Sequence, residues 1–177
     1  MLTLVLGGAR SGKSAYAQSL CADRAAVFIA AARDAGDPEW RERIARHRRD
    51  RPPCWRTIEA PLALTEALEG VGQEEVALVD CLGVWVANLM YEHREQAPAE
   101  IEAEVLAHVE RAATIALRRE TIVVSNEVGS ATVPEHPLAR HFRDVLGFAN
   151  QIVARRADRV VLVVAGIPMT VKDGGAR

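Results

Sequence analysis

Residues Gly7-Gly8-Ala9-Arg10-Ser11-Gly12-Lys13-Ser14 fit the spacing G-x-x-x-x-G-K-[ST] and follow directly on the apolar run Leu2-Thr3-Leu4-Val5-Leu6. Few short patterns restrict a fold as tightly. The run is read as a buried strand, the glycines as a turn at its carboxyl end, and Ser14–Ala22 as a helix opening within that turn. Glycine lets the backbone curl so that successive N–H groups face inward, Lys13 reaches outer phosphates, and the Ser14 hydroxyl can ligate Mg²⁺. The helix start adds its positive end beneath the same anion. This is the arrangement of a P-loop holding a nucleoside triphosphate. A glycine-rich turn without nucleotide is the alternative, and composition speaks against it. Only Lys13 and Lys172 are lysines among the 22 Lys and Arg residues, so a lysine at this spacing is not incidental.

A chain of 177 residues suits one domain with a sizeable core, since domains commonly hold about 100–200 residues. One domain over residues 1–177 is therefore expected. The formal net charge of −2 gives no general attraction to nucleic acid or to an anionic membrane. Cys21, Cys54 and Cys81 are odd in number and lack C-x-x-C spacing, which indicates neither a disulfide framework nor a zinc site. No apolar run approaches the roughly 20 residues that span a bilayer, and no signal-peptide pattern precedes the P-loop. A cytoplasmic location without a membrane span is the expectation.

Buried-strand patterns recur at Leu2–Leu6, Ala26–Ala31, Val76–Asp80, Thr121–Ser125 and Arg159–Val164. Helical spacing or composition lies between them at Pro38–Arg48, Leu62–Leu68, Leu82–Tyr91, Pro98–Arg119 and Leu138–Ala157. The alternation predicts a doubly wound α/β domain, with its ligand crevice at the carboxyl ends of the strands. Asp173 to Arg177 reads as a frayed end.

Two further features bear on chemistry. Val76-Ala77-Leu78-Val79-Asp80 is an apolar strand ending in a carboxylate, where P-loop proteins place an acid that holds Mg²⁺. Capping of the next helix is the other reading of Asp80. Arg41, Arg43, Arg46, Arg48, Arg49, Arg51 and Arg56 crowd a short segment around His47. Guanidinium forks suit phosphate oxygens, but for most of these arginines a solvated helix face is the better reading, and Arg41, Arg48 and Arg49 are read as surface residues. Neighbouring cations favour the neutral His47 imidazole, a competent nucleophile toward phosphorus; a structural or exposed histidine is the alternative. Little aromatic interleaving accompanies the cluster, and nucleic acid is not the expected partner.

The P-loop, Arg43-Ile44-Ala45-Arg46-His47-Arg48-Arg49-Asp50-Arg51-Pro52, Trp55-Arg56-Thr57-Ile58-Glu59 and Val79-Asp80-Cys81-Leu82 occur here in that order. Ser125-Asn126-Glu127-Val128-Gly129, Val133-Pro134, Leu138-Ala139-Arg140-His141-Phe142-Arg143-Asp144 and Gly147-Phe148-Ala149-Asn150-Gln151 follow. Together these stretches resemble the bifunctional adenosylcobinamide kinase/adenosylcobinamide-phosphate guanylyltransferase family over nearly the whole chain. The H-x-x-x-R-P element and the N-E-V-G…F-R-D…N-Q series are far more specific than the P-loop.

The resemblance implies a RecA-like P-loop NTPase fold, with a mostly parallel central sheet and helices on both faces. It implies GTP, ATP and Mg²⁺ as reaction components, adenosylcobinamide as corrinoid substrate, and a homotrimer. By the same likeness His47 carries GMP covalently and Lys13 stabilises the transferring phosphates. Nucleotide contacts fall on Gly7, Gly8, Ala9, Arg10, Ser11, Gly12, Lys13, Ser14, Ala31, Ala32, Arg33, Arg48, Arg49, Asp50, Arg51, Glu59 and Asp80, with Ser14 and Asp80 at the metal. Glu59 could accept paired donors from a guanine edge or a ribose; an exposed loop glutamate is its bland reading. Asn126 and Glu127 position substrate or metal, or else bond within their own turn. Where the family usually reads G-x-G-I-V-P, this chain has Gly129-Ser130-Ala131-Thr132-Val133-Pro134, which puts the geometry of that loop near the corrinoid in question. A monofunctional small-molecule P-loop kinase and a nucleotide-dependent regulatory protein are the competing readings.

Overall fold

The computed structural model describes residues 1–21, 24–33, 52, 54–130 and 132–174. Its strands are β1 (Leu2–Gly7), β2 (Ala26–Ala30), β3 (Arg56–Glu59), β4 (Val76–Asp80), β5 (Thr121–Asn126), β6 (Arg159–Val164) and β7 (Ile167–Asp173). Its helices are α1 (Lys13–Ser19), α2 (Leu64–Glu69), α3 (Leu82–Glu92), α4 (Pro98–Ala116) and α5 (Pro137–Arg156). The strands form one seven-stranded sheet in the order β3-β2-β4-β5-β1-β6-β7. All neighbours are parallel except β6 and β7. The mostly parallel α/β sheet read from the sequence is the observed one.

Period-2 alternation explains how such continuous apolar runs serve both faces. Leu2, Leu4, Val27, Ile29, Ala77, Val79 and Val123 pack on one side with residues of α2, α3, α4 and α5. Val5, Phe28, Leu78, Ile122, Val124, Val161 and Val163 pack on the other with Ala17 of α1, Cys21 and Trp55. Helices thus cover both faces, with the larger core on the side of α2 to α5.

Element limits moved by a few residues. The predicted helix Ser14–Ala22 is observed as Lys13–Ser19, Pro98–Arg119 stops at Ala116, and the strand through Ala31 stops at Ala30. The helix expected over Pro38–Arg48 lies outside the described residues. The frayed end is corrected at its first two residues: Asp173 closes β7, and Gly174 N–H donates to Asp158 O at 2.6 Å; residues 175–177 lie outside the described residues. Lys172, in β7, donates to the carbonyls of Ala154, Arg155 and Ala157 at 2.6–3.2 Å. It thereby satisfies orphan carbonyls where α5 ends.

The amino edge of the sheet is closed by two charged forks. Arg24, just before β2, pairs bidentately with Glu120, just before β5, at 2.6 and 2.7 Å. Arg56, opening β3, pairs with Glu75, just before β4, at 2.9 and 3.0 Å and also donates to Gly70 O. Arg56 therefore belongs to the scaffold, and the phosphate-binding reading of the arginine cluster does not extend to it.

Arg56, together with the Gly72 N–H, holds the Glu75 carboxyl down at about 2 from its ordinary 4.5. A carboxylate depressed by folding contributes stability that is complete above pH 4.5 and is lost as pH falls toward 2. Denaturant midpoints measured across that window should fall steeply for the wild type and more gently for Arg56→Ala. High salt should narrow the difference, because the fork is largely exposed. Identical slopes for the two proteins would remove the fork from the account.

Candidate nucleotide-binding site

Strand register brings the predicted residues to one edge. Gly7 ends β1 opposite Asn126 of β5, and Ala30 of β2 lies opposite both Asp80 of β4 and Glu59 of β3. Beyond Ala30, Ala31 N–H donates to Asp80 O at 3.4 Å, and Ala60 N–H donates to Ala30 O at 2.8 Å. The P-loop, the loop Ala31-Ala32-Arg33, Glu59 and Asp80 therefore share the carboxyl edge, where a doubly wound sheet presents its crevice. His47, Arg48, Arg49, Asp50 and Arg51 lie outside the described residues.

Both motif glycines have a steric reason to be glycine. A Cβ on Gly7 would stand 2.3 Å from Ser11 Oγ and 2.8 Å from Val163 O. Gly12 has φ +92°, and a Cβ there would meet Gly166 Cα at 3.2 Å. Arg10, between them, also lies in the left-handed region at φ 56°, a conformation that costs a non-glycine residue about 1 kcal/mol. Two hydrogen bonds hold the curl: Ser11 N–H to Gly8 O at 3.3 Å, and Gly166 N–H to Ser11 O at 2.8 Å.

Within this cradle the Ser11 hydroxyl is buried without a hydrogen-bond partner among the described residues. A buried orphan hydroxyl is costly unless something supplies its partner. Gly12 caps α1 without any side-chain hydrogen bond, so the first helical N–H groups keep donors for an anion. Lys13 Nζ donates to Gly8 O at 3.1 Å, folded back over the loop it would serve. Its charge also reaches Cys81: burial and the Asp80 carboxylate push that thiol up to about 11, while Lys13 pulls the other way. Ser14 and Asp80 offer oxygen donors, the set that suits Mg²⁺.

Several supports were not legible as site residues. Asn88 of α3 donates to Ala31 O at 2.8 Å and to Pro61 O at 3.0 Å, tying together the loops that follow β2 and β3. Trp85, buried one turn earlier, donates its indole N–H to Leu62 O at 2.9 Å. Asn150 of α5 accepts from the Ser125 hydroxyl at 2.6 Å and donates to Asn126 O at 3.0 Å, fixing the end of β5 beside the P-loop. Glu127 settles into its own turn, accepting from Gly129 N–H at 2.7 Å and Ser130 N–H at 3.2 Å. These are the turn bonds expected on the second reading of Glu127. The loop position in question, Ala131, is outside the described residues.

A mostly parallel sheet with a glycine cradle at one strand end and a carboxylate at another defines a P-loop nucleotide-binding α/β protein. Residues 3–171 match the family model described as cobinamide kinase / cobinamide phosphate guanyltransferase. Among curated proteins, the bifunctional adenosylcobalamin biosynthesis protein CobP of Pseudomonas aeruginosa is 42% identical over 174 residues, covering 97% of this chain and 98% of that protein. The corresponding CobU proteins of Escherichia coli K12 and Salmonella typhimurium are 38% and 36% identical, each over 97% of this chain and their full length. The chain belongs to this family, and its activity is that of a bifunctional cobinamide kinase and cobinamide phosphate guanylyltransferase.

Proposed function

We propose that the guanylyl transfer runs through a covalent histidyl-GMP at His47. The chain first phosphorylates the aminopropanol hydroxyl of adenosylcobinamide with ATP or GTP. It then moves GMP from GTP onto that phosphate, giving adenosylcobinamide-GDP and pyrophosphate. In the first half of the transfer, the neutral His47 imidazole attacks the α-phosphorus in line. A nitrogen–phosphorus bond forms, and the bond to the bridging oxygen breaks. In the second half, an oxygen of cobinamide phosphate attacks the same phosphorus and returns His47 to its free form. One difficult displacement becomes two easier ones.

Lys13 and the amides of Gly7 to Ser14 take up the charge that develops on pyrophosphate, as they do for the γ-phosphoryl group in the kinase step. Ser14 and Asp80 would hold Mg²⁺, which supplies charge neutralisation across the phosphates. Ala31, Ala32, Arg33, Arg48, Arg49, Asp50, Arg51 and Glu59 complete the nucleotide contacts.

The observation that carries this reading is the cradle itself, with its orphan Ser11 hydroxyl and positive-φ Gly12, on the same sheet edge as the strand-terminal Asp80. The covalent half rests on His47 within its arginines and on family membership. We read residues 1–177 as one domain acting in the cytoplasm; among the described residues no helix is long and apolar enough to cross a membrane, and Cys21, Cys54 and Cys81 are free. We also assign a homotrimer. Ile167, Met169 and Val171 expose an apolar stripe on the edge strand β7, where a neighbouring subunit could cover it.

Native mass measurement after incubation with GTP and Mg²⁺ tests both points. It should give a three-subunit assembly with one GMP adduct per subunit, located by fragmentation on the peptide that contains His47. An adduct-free enzyme that still makes adenosylcobinamide-GDP excludes the covalent route, and a monomer or dimer excludes the trimer.

A further inference from the structure

Three potential metal ligands outside the residues assigned to the nucleotide site meet at the end of α3 and the middle of α4. His93 follows the last residue of α3, and Glu104 and His108 are one helical turn apart on α4. That i, i+4 spacing puts the carboxylate and the imidazole on one face. Glu104 Oε1 stands 3.5 Å from His108 Nε2. The rings of His93 and His108 are 6.4 Å apart between centroids. One ligand atom from each of the three residues lies within 4.8 Å of the other two.

Ligands about 2.1 Å from a tetrahedral ion stand roughly 3.4 Å from one another, so the Glu104–His108 pair at 3.5 Å is already at coordination spacing, and the separations to His93, at most 4.8 Å, would close on binding. Neighbours restrict both rings. The Gln96 amide lies 3.2 Å from His93 Nδ1, and the Trp85 ring meets His108 edge-on at 6.4 Å between centroids.

We propose that His93, Glu104 and His108 form a binding site for one divalent transition cation of the Zn²⁺ class. Two imidazole nitrogens and one carboxylate oxygen favour zinc, cobalt or nickel over Mg²⁺ or Ca²⁺, which take all-oxygen sets. Three protein ligands leave a fourth position for water. The ion would clasp the end of α3 to the middle of α4. Glu92, the residue before His93, pairs with Arg33 at 3.7 Å, so the clasp would also steady the loop after β2. None of the three ligands is a residue assigned to the nucleotide site, and the proposal stands apart from the histidyl-GMP reading.

Metal-stripped full-length protein titrated calorimetrically with Zn²⁺ alone should bind one equivalent, and Co²⁺ in its place should develop the visible bands of a nitrogen–oxygen site. Loss of an outer-sphere partner already costs metal affinity about 10–100-fold, so each of His93→Ala, His108→Ala and Glu104→Gln should weaken binding at least about tenfold. His136→Ala and His141→Ala should leave it unchanged. Zn²⁺ should raise the thermal midpoint of the wild type and not that of Glu104→Gln, a side chain exposed enough that its replacement spares the fold. Absence of saturable binding, or unchanged affinity in the His93→Ala/His108→Ala double variant, would overturn the site.

Discussion

His47→Ala is expected to lose transfer of GMP to cobinamide phosphate by at least about 10³-fold, the scale on which removing an enzyme's nucleophile leaves only binding and electrostatics. The same protein should still phosphorylate adenosylcobinamide. In the kinase step the substrate hydroxyl is the attacking group, and the enzyme supplies positioning and charge neutralisation without a covalent carrier. The divergence between the two activities is therefore the diagnostic quantity. It is read by following cobinamide phosphate and cobinamide-GDP separately by mass, together with protein-bound label from α-labelled GTP. Wild-type labelling of the His47→Ala protein would sink the assignment. Equal loss of both activities would mean that His47 supports the site's geometry and does not carry the nucleotide.

Lys13→Ala should instead depress both activities, each by about 10²–10³-fold. That is the effect of deleting one preorganised donor aimed at developing oxyanion charge. In the structure the ammonium donates to Gly8 O at 3.1 Å, and a bound triphosphate would exchange that neutral acceptor for a charged one, a stronger bond. The interaction is made most fully as charge moves onto the leaving phosphates, so the loss should appear chiefly in kcat. Product assays at saturating nucleotide check this. A Lys13→Ala protein with only one of its activities impaired would show that the two reactions use different phosphate sites.

Much of the fold was legible because buried parallel strands write themselves as continuous apolar runs; Val76–Asp80 and Arg159–Val164 were bounded to the residue. β7 was not, for a physical reason. Ile167-Pro168-Met169-Thr170-Val171-Lys172-Asp173 sets apolar Ile167, Met169 and Val171 against polar Thr170 and Lys172 and has a proline as its second residue, as an exposed edge strand can. It satisfies a different pattern from the buried runs around it. Short helices were also blurred, since α1 ends at Ser19 while helix-compatible residues continue to Ala22.

At the site, glycine spacing and a strand-terminal acid could be read because each encodes local backbone geometry. Asn88 and Asn150 could not. Their partners lie 57 and 27 residues away for Asn88, and 25 and 24 for Asn150. Nothing in a helix marks which amide will meet a distant carbonyl. Arg56 carried the opposite lesson, since membership in a basic cluster said nothing about Glu75 waiting beyond the next turn.

The position of β1 has a consequence for the order in which the chain can be completed. It precedes every other strand in the chain, yet its two neighbours in the sheet are β5 and β6, and the Ser11 carbonyl finds its donor at Gly166. During synthesis an apolar strand and a strained glycine loop must therefore wait for nearly the whole polypeptide. Contacts of such long sequence separation form late because their loop-closure cost precedes any return. The nucleotide cradle is thus built last although it is written first, and a chain interrupted before β6 would carry every P-loop residue without the scaffold that curves them.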